Sequence, residues 1–295
     1  MSEKEGGSSP PSQPSTGPDN IHFTGSLQAS EVASWKLASP VVIWFRHTQS
    51  MSGRAVDQAR SMLSSDEIAR ADRFVFERDR RDFIAAHALL RCVLSHHGQL
   101  PPDGWKFGSE AAGKPYLVHQ SELQLNLAHT RGLVACALSM AGPIGIDVES
   151  IDGERDMASI SENHFAQTEV AELRACEEGM HRQARFTELW TLKEAYLKAL
   201  GAGLGRPLDE VAFHFSGASE LHATAQDDLD HAGWRFALFA PLENYRLAAA
   251  VRTNANLAFF ARQWPDERDQ PSLAPLRSAA LAPCVNECGP CTARE

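Results

Sequence analysis

No stretch of this sequence approaches the roughly 20 consecutive apolar residues that a membrane-spanning helix needs. The N-terminus also lacks the basic segment followed by an apolar run that marks a secretory signal. Six cysteines in 295 residues are too sparse for a disulfide scaffold. Together these absences predict a cytoplasmic protein with reduced thiols and no membrane partner.

Basic residues are also in deficit. The 28 Lys and Arg stand against 38 Asp and Glu, which gives a formal net charge of −10. A general nucleic-acid binder needs a net basic face, so the composition argues against nucleic acid as a partner. A local basic pocket for a phosphorylated small molecule remains compatible with this balance.

Both ends of the chain lack a core pattern. The first 20 residues are Ser, Pro and Gly with almost nothing apolar, and we expect a disordered N-terminal segment over 1–34. From about Trp264 onward the chain is again rich in Pro and polar residues, which predicts a C-terminal tail over 264–295. The folded body is therefore expected between these limits, with no internal repeat of short period.

Strand-like and helix-like segments interleave within the body. Ser64 with Glu67 three residues later matches a capping box and predicts a helix from Ser65 to about Phe74. Two more helical patterns stop at glycines, 80–97 before Gly98 and 184–200 before Gly201. Strands are predicted at 41–46, 123–127, 133–139, 144–149, 211–215, 234–239 and 245–251. The mixed order predicts an α+β fold with antiparallel hairpins.

The predicted strand 144–149 carries two acids, Asp147 and Glu149. Residues two apart on a strand share a face, so these carboxylates project side by side. Adjacent carboxylates repel each other unless a cation or a shared proton lies between them. A hard cation such as Mg²⁺ takes oxygen ligands of this kind. The alternative is a strand edge with two solvated acids.

The helix predicted over 184–200 places Trp190, Glu194 and Lys198 on one stripe, at spacing i, i+4, i+8. Lys193 adds a cation beside the stripe, and three glycines follow within 201–205. A carboxylate between two lysines before such a turn suits a phosphate and metal site. The alternative is an exposed Glu194–Lys198 pair.

Two short segments fit an anion pocket. Gly113-Lys114-Pro115 holds one lysine in a restricted turn, and the segment 126–129 ends a strand and places His129 at a turn. The alternatives are a plain exposed turn and a structural histidine.

In the order Gly113-Lys114-Pro115, 126–129, Gly145–Glu149 and Trp190–Lys198, these motifs resemble the 4′-phosphopantetheinyl transferases of the surfactin-synthetase-activating type. A GxDxE segment alone is a weak signal, but one followed by WxxKEAxxK is specific. The resemblance covers 40–252, with a looser echo in the basic, aromatic-containing stretches 70–74 and 80–83, up to Arg91.

The resemblance implies a pseudo-dimer of two similar α+β halves, 35–150 and 151–263, with the active site in the cleft between them. It implies transfer of the 4′-phosphopantetheine arm of coenzyme A to a serine of an apo acyl or peptidyl carrier protein, with release of 3′,5′-adenosine bisphosphate. We expect a monomer that needs Mg²⁺.

The family's site residues carry over onto matching positions. The Mg²⁺ ligands are then Asp147, Glu149 and Glu194, and Glu194 is also the expected general base. Lys198 and Lys193 are expected to contact the pyrophosphate. The remaining coenzyme A contacts are Lys114, in its turn with Pro115, then His129, and Arg81 as a helper. Ala128 replaces the usual serine before the histidine, so we expect one hydroxyl contact to coenzyme A to be missing.

Two rival readings remain open. Cys284, Cys288 and Cys291 have the C-x₃-C-x₂-C spacing of an iron–sulfur site, although only four residues follow the last of them. A non-catalytic module that docks carrier proteins is the second rival, and the three intact carboxylates argue against it.

Overall fold

The structure is a computed structural model that describes residues 37, 39–110, 113–152, 156–201, 205–216, 220–225, 233–264 and 275–281. The helices within these ranges are α1 (Gly53–Ser61), α2 (Ser65–Ala71), α3 (Glu77–His97), α4 (Met157–His164), α5 (Gln167–Ala175) and α6 (Met180–Leu200). The strands are β1 (Val41–His47), β2 (Phe107–Ser109), β3 (Pro115–Leu117), β4 (Gln124–Thr130), β5 (Leu133–Ser139), β6 (Ile144–Ser150), β7 (Val211–Ser216), β8 (Glu220–Ala225), β9 (Trp234–Phe239), β10 (Tyr245–Arg252), β11 (Ala261–Gln263) and β12 (Arg277–Leu281).

The element order occurs twice. β1 is followed by three helices, a short hairpin and two strands, and β6 is followed by the same series. The strands of each series form a sheet with the same order, β1-β5-β4 in the first series and β6-β10-β9 in the second. The long helices α3 and α6 each contain 21 residues. The fold is therefore α+β and built from two similar halves, as the resemblance implied.

Strands from the C-terminal region extend both sheets. β11 pairs in parallel with β1, and β12 pairs antiparallel with β9. The prediction of a tail from 264 onward is thus wrong for 277–281, which form an edge strand. Trp264 also packs on the body, with its ring 5.3 Å from that of Trp44. Residues 1–36 and the cysteines at 284–291 lie outside the described residues.

Apolar residues form three clusters, one at each interface between the packed layers of helices and sheets. One cluster joins the first sheet to α1, α2 and α3, and a second joins the other sheet to α4, α5 and α6. The third contains residues from both sheets, among them Ile43 and Ala135 from the first and Ile146 and Ala249 from the second. The two sheets therefore face each other across an apolar core, with helices on their outer faces.

The hydrogen bonding of β6 corrects one expectation. The predicted boundary at 150 assigned the Gly145–Glu149 segment to the first half. β6 instead pairs with β10 along its whole length, from Ile144 opposite Val251 to Ser150 opposite Tyr245. The sheet to which a strand belongs is decided by its pairing with strands far away in the sequence. The local sequence pattern of β6 does not indicate which strand it pairs with.

The predicted helices and strands are all present, most with ends shifted by one to four residues. α2 has both hydrogen bonds of the predicted capping box and ends at Ala71 rather than Phe74. The unpredicted elements are short or only half-buried: α1, α4, α5, β2, β3, β8, β11 and β12. None of the described helices is long and apolar enough to cross a membrane.

Gly145 sets the distance between β6 and α6. A Cβ atom at this position would lie 2.0 Å from the Ala195 carbonyl oxygen and 2.3 Å from the Ala199 amide nitrogen. Both are backbone atoms, so no rotamer change could relieve the overlap. Beside it, Ala248 and Ala250 of β10 are also small and buried. The helix can lie this close to the sheet only because these side chains are small or missing.

We expect Gly145→Ala to destabilise the fold by about 3 kcal/mol or more, because the added methyl group pushes α6 off the sheet. Gly53→Ala is the control, since nothing lies within 4 Å of a Cβ there and a change within about 0.5 kcal/mol is expected. Urea unfolding of both variants measures the difference, and equal midpoints would contradict this account of the packing.

The capping-box residue Glu67 is the centre of a buried ionic network in the first half. Its carboxylate accepts hydrogen bonds from the Ser64 amide, from His87 Nδ1 at 2.9 Å and from Arg91 Nη2 at 2.7 Å. Burial alone would raise the pKa of Glu67, but these hydrogen bonds outweigh it and lower the pKa to about 2.

The low pKa of Glu67 makes a pH prediction. Because the folded-state pKa lies below the ordinary value near 4.3, the ionised carboxylate stabilises the fold above about pH 4.5, and this contribution is lost as the pH falls toward 2. Glu67→Gln should therefore be about 3 kcal/mol less stable than the wild type at pH 7, with the gap narrowing to about 1 kcal/mol near pH 2.5. Urea unfolding at both pH values tests this, and a gap that is independent of pH would contradict it.

Candidate active site

The partly exposed stripe of α6 matches the predicted one. Between Phe186 and Ala199, every side chain is buried except Trp190, Glu194 and Lys198. All other faces of this stretch are packed against the sheet, α5 and the β7–β8 hairpin. The i, i+4, i+8 spacing therefore marks the only open face of this part of the helix.

The stripe faces the acids of β6. Lys198 Nζ lies 2.6 Å from Asp147 Oδ1, and Trp190 Nε1 donates to Glu149 Oε1 at 3.2 Å. Glu194 lies between these two contacts on the helix, and its charge acts on both Asp147 and Lys198. The structure thus brings together all three predicted carboxylates, with Lys198 beside them.

The carboxylate of Asp147 is buried and only half satisfied. Its Oδ2 has no hydrogen-bond partner among the described residues. Burial raises the pKa of Asp147 to about 7, Lys198 opposes this rise, and the negative charges of Glu149 and Glu194 add to it. A buried carboxylate oxygen without a partner is costly, and a bound cation would satisfy it.

The carboxylates do not form a finished metal site by themselves. Within the described ranges, no three His, Cys, Asp or Glu side chains are arranged to hold a metal ion. Lys198 occupies one oxygen of Asp147, and Trp190 and Thr130 each donate to Glu149. The free Oδ2 of Asp147 and the shared excess of negative charge nevertheless fit an oxygen-preferring cation.

The first half reaches this site through β4, whose edge meets that of β6. Thr130 Oγ1 donates to Glu149 Oε2 at 3.2 Å, and Asn126 Oδ1 accepts the Ile146 amide at 2.9 Å. Sequence reasoning assigned no role to either residue. The period of two along the strand was the available signal, since it places positions 126 and 130 on one face.

His129 lies within β4, opposite Val134 of β5. The prediction that it sits at a turn is wrong, because the strand continues to Thr130. The His129 side chain is exposed to solvent. Partial desolvation by its neighbours lowers the pKa of His129, and the positive charge of Lys198 adds to the effect. His129 therefore lies close enough to the carboxylate cluster for the charge of Lys198 to affect the pKa of the imidazole.

Lys114 joins the two halves directly. Its Nζ donates to the carbonyl oxygens of Ile144 at 3.0 Å and Ala199 at 3.3 Å. The first carbonyl begins β6 and the second lies in the last turn of α6, where a cation also suits the helix dipole. Partial burial lowers the pKa of Lys114. Pro115 follows as the first residue of β3.

Three other features singled out in the sequence are Lys193, Ala128 and Arg81. Lys193 is fully buried and pairs with Glu169 at 2.8 Å, on a different side of α6 from Glu194. Ala128 packs into the core between the sheets, so a serine hydroxyl there would face away from the side on which His129 lies. Arg81 lies on α3 with its Nε buried and unbonded within the described part of the chain.

The chain is similar to known proteins over most of this fold. The family described as "4′-phosphopantetheinyl transferase superfamily" matches residues 143–250, and "4′-phosphopantetheinyl transferase, N-terminal" matches residues 50–141. The two matches meet between β5 and β6, where the element order begins its second round.

Individual relatives agree with the family matches. The 4′-phosphopantetheinyl transferase HetI of a Nostoc species is 36% identical over 219 residues, which cover 73% of this chain and 89% of that protein. A 4′-phosphopantetheinyl transferase of Bacillus subtilis is 28% identical and covers 68% of this chain and 87% of that protein. The transferase Sfp of Bacillus subtilis is 30% identical over 50% of this chain and 65% of its own length.

Proposed function

The chain belongs to the 4′-phosphopantetheinyl transferase family, and on that premise we propose the reaction that it carries out. It transfers the 4′-phosphopantetheine arm of coenzyme A to a serine hydroxyl of an apo acyl or peptidyl carrier protein and releases 3′,5′-adenosine bisphosphate. The contact of the β6 acids with the α6 stripe carries this proposal, because it sets three carboxylates and a lysine at the junction of the two halves.

A divalent cation, Mg²⁺, completes the site. Asp147 through its Oδ2, which has no partner among the described residues, together with Glu149 and Glu194, would hold it. Mg²⁺ usually binds through a few carboxylates together with substrate phosphates and water. When bound, it would neutralise negative charge on the reacting phosphates. Without it, the carboxylates would repel the pyrophosphate of coenzyme A.

Different cationic side chains would contact different parts of coenzyme A. Lys198 faces the carboxylates and would contact the pyrophosphate. Lys114 and His129 come from the first half and would bind the 3′-phosphate or adenine side of coenzyme A, with Arg81 as a less central contact. Lys193 is not part of this set, because its ammonium is buried against Glu169.

Proton removal from the serine completes the chemistry. The serine oxygen forms a bond to the phosphorus next to the pantetheine, and the bond from that phosphorus to the bridging oxygen of the adenosine bisphosphate breaks. Glu194 is the group in reach of the site that would accept the serine proton, directly or through a water.

A reducing compartment suits the thiols that the structure describes. Cys92, Cys136 and Cys176 are free thiols, as in proteins of the cytoplasm. We therefore place the enzyme in the cytoplasm and expect it to act as a monomer, since both halves of the site come from one chain.

Intact-protein mass spectrometry of a panel of apo carrier proteins tests the proposed reaction. Incubation with coenzyme A should add the mass of one phosphopantetheinyl group to at least one carrier, with an equal amount of 3′,5′-adenosine bisphosphate. A carrier with its acceptor serine replaced by alanine is the control. Hydrolysis of coenzyme A without any carrier modification would contradict the assignment.

Metal removal should abolish transfer. We expect no holo carrier to form in the presence of EDTA and full recovery on addition of excess Mg²⁺, because the carboxylate cluster alone repels the substrate phosphates. Circular dichroism serves as the control and should show an unchanged fold in EDTA. Undiminished transfer after exhaustive chelation would show that the carboxylates act without a metal.

Single neutral replacements of the carboxylates should lower the transfer rate strongly. We expect Asp147→Asn, Glu149→Gln and Glu194→Gln each to lose about 10²- to 10⁴-fold in single-turnover rate. Glu162→Gln is the control, because its carboxylate is exposed and pairs with the exposed Arg174, and it should stay within about twofold. A near wild-type rate for Asp147→Asn, with unchanged Mg²⁺ dependence, would contradict the assignment of Asp147 as a metal ligand.

A further inference from the structure

Lys193 and Glu169 form a fully buried ion pair, which we call the C-terminal clamp. The side chains are 1% and 0% exposed, and Lys193 Nζ lies 2.8 Å from Glu169 Oε2. Lys193 Nζ also donates to the carbonyl oxygens of Leu208 and Val211, at 2.8 and 2.7 Å. All three donor positions of this ammonium are thereby used within the protein.

Glu169 extends the clamp to two further elements. Its Oε2 accepts the Ala166 amide that precedes α5, and its Oε1 accepts the Phe213 amide of β7. α6 is therefore tied through one lysine to α5, to the segment after α6 and to β7. No part of this network faces the carboxylates of β6.

The first half contains the same arrangement, which we call the N-terminal clamp. Glu67, like Glu169, is the third residue of a short helix and accepts the amide at its N-cap. Arg91 of α3 binds Glu67 and donates to the carbonyl oxygens of Pro102 and Trp105, just beyond the long helix. The described residues of this half contain no counterpart of the carboxylate cluster, so the clamp belongs to the architecture of a half rather than to substrate binding.

The C-terminal clamp fixes the rotation of α6. Lys193 immediately precedes Glu194, and successive residues of an α-helix are about 100° apart around its axis. Holding the Lys193 ammonium at three points therefore fixes the direction in which Glu194 and, one turn later, Lys198 leave the helix. Those two side chains must meet the acids of β6, which belong to a different element.

We propose that the Glu169–Lys193 pair is a positioning device that holds Glu194 and Lys198 against Asp147 and Glu149, and that Lys193 does not touch coenzyme A. The proposal rests on the proposed transferase function. A positioning role differs from a role in folding alone. Buried ion pairs add little net stability compared with apolar replacements, but this pair fixes the orientation of the α6 side chains. Misplacement of a reacting group by about 1 Å can cost about 100-fold in rate.

The test compares Lys193→Met, Glu169→Gln and the double variant Lys193→Met/Glu169→Gln. Lys193→Met leaves a buried carboxylate without its cation and should lower Tm by about 10 °C, whereas the double variant removes both charges and should regain much of this loss. The readouts are Tm, kcat for a carrier protein that the wild type modifies, KM for coenzyme A, and calorimetric Kd for coenzyme A, all at a temperature where each variant is folded.

We expect kcat of the double variant to fall about 10- to 100-fold, with KM and Kd for coenzyme A within about twofold of the wild type. The matched control is Arg91→Met/Glu67→Gln, which opens the N-terminal clamp and should lower Tm while leaving kcat within about threefold.

Two results would overturn the proposal. A wild-type kcat in the folded double variant would mean that the pair serves stability only, and a Kd for coenzyme A weakened about tenfold or more at unchanged kcat would mean that Lys193 contacts the substrate. Failure of the wild-type protein to modify any carrier would count against the proposed function instead, and the wild-type assay is therefore run first.

Discussion

The contact between α6 and β6 at Gly145 is the constraint on which the site depends. Backbone atoms of the helix occupy the space that any side chain at this position would need. This closeness places Lys198 within 2.6 Å of Asp147 and lets the Trp190 indole reach Glu149. At the wider spacing of an ordinary helix on a sheet, the helix stripe and the strand acids would face each other without touching.

Electrostatics explains why such an arrangement suits a substrate rich in phosphate. The three acids and the contacting Lys198 form a cluster with excess negative charge, and one buried oxygen of Asp147 has no partner in the described part of the chain. Such a cluster is unfavourable alone and becomes favourable with a divalent cation. The first half contributes Thr130, His129 and Lys114 at the same junction, so the duplicated fold places groups from both halves around one site.

Much of this could be predicted from local pattern. The i, i+4, i+8 spacing identified the open stripe of α6, and the period of two placed Asp147 and Glu149 on one face of β6. Lys193 could not be assigned in this way. The local sequence pattern is identical whether a lysine next to a functional stripe points to the substrate or into the core. Its partner Glu169 and the Leu208 and Val211 carbonyls come from other elements. Sheet membership of β6 and the late edge strand β12 likewise depend on pairing between distant segments. The ligand roles stay predictions.

The central claim is that Asp147, Glu149 and Glu194 share one divalent cation at this junction. Anomalous diffraction from crystals grown with Mn²⁺ and coenzyme A tests it most directly. The account predicts one anomalous peak bounded by these three carboxylates and by the pyrophosphate, with the Lys193 ammonium still paired with Glu169. Clear density for coenzyme A with no anomalous peak at the carboxylates, or with the peak elsewhere in the protein, would contradict it.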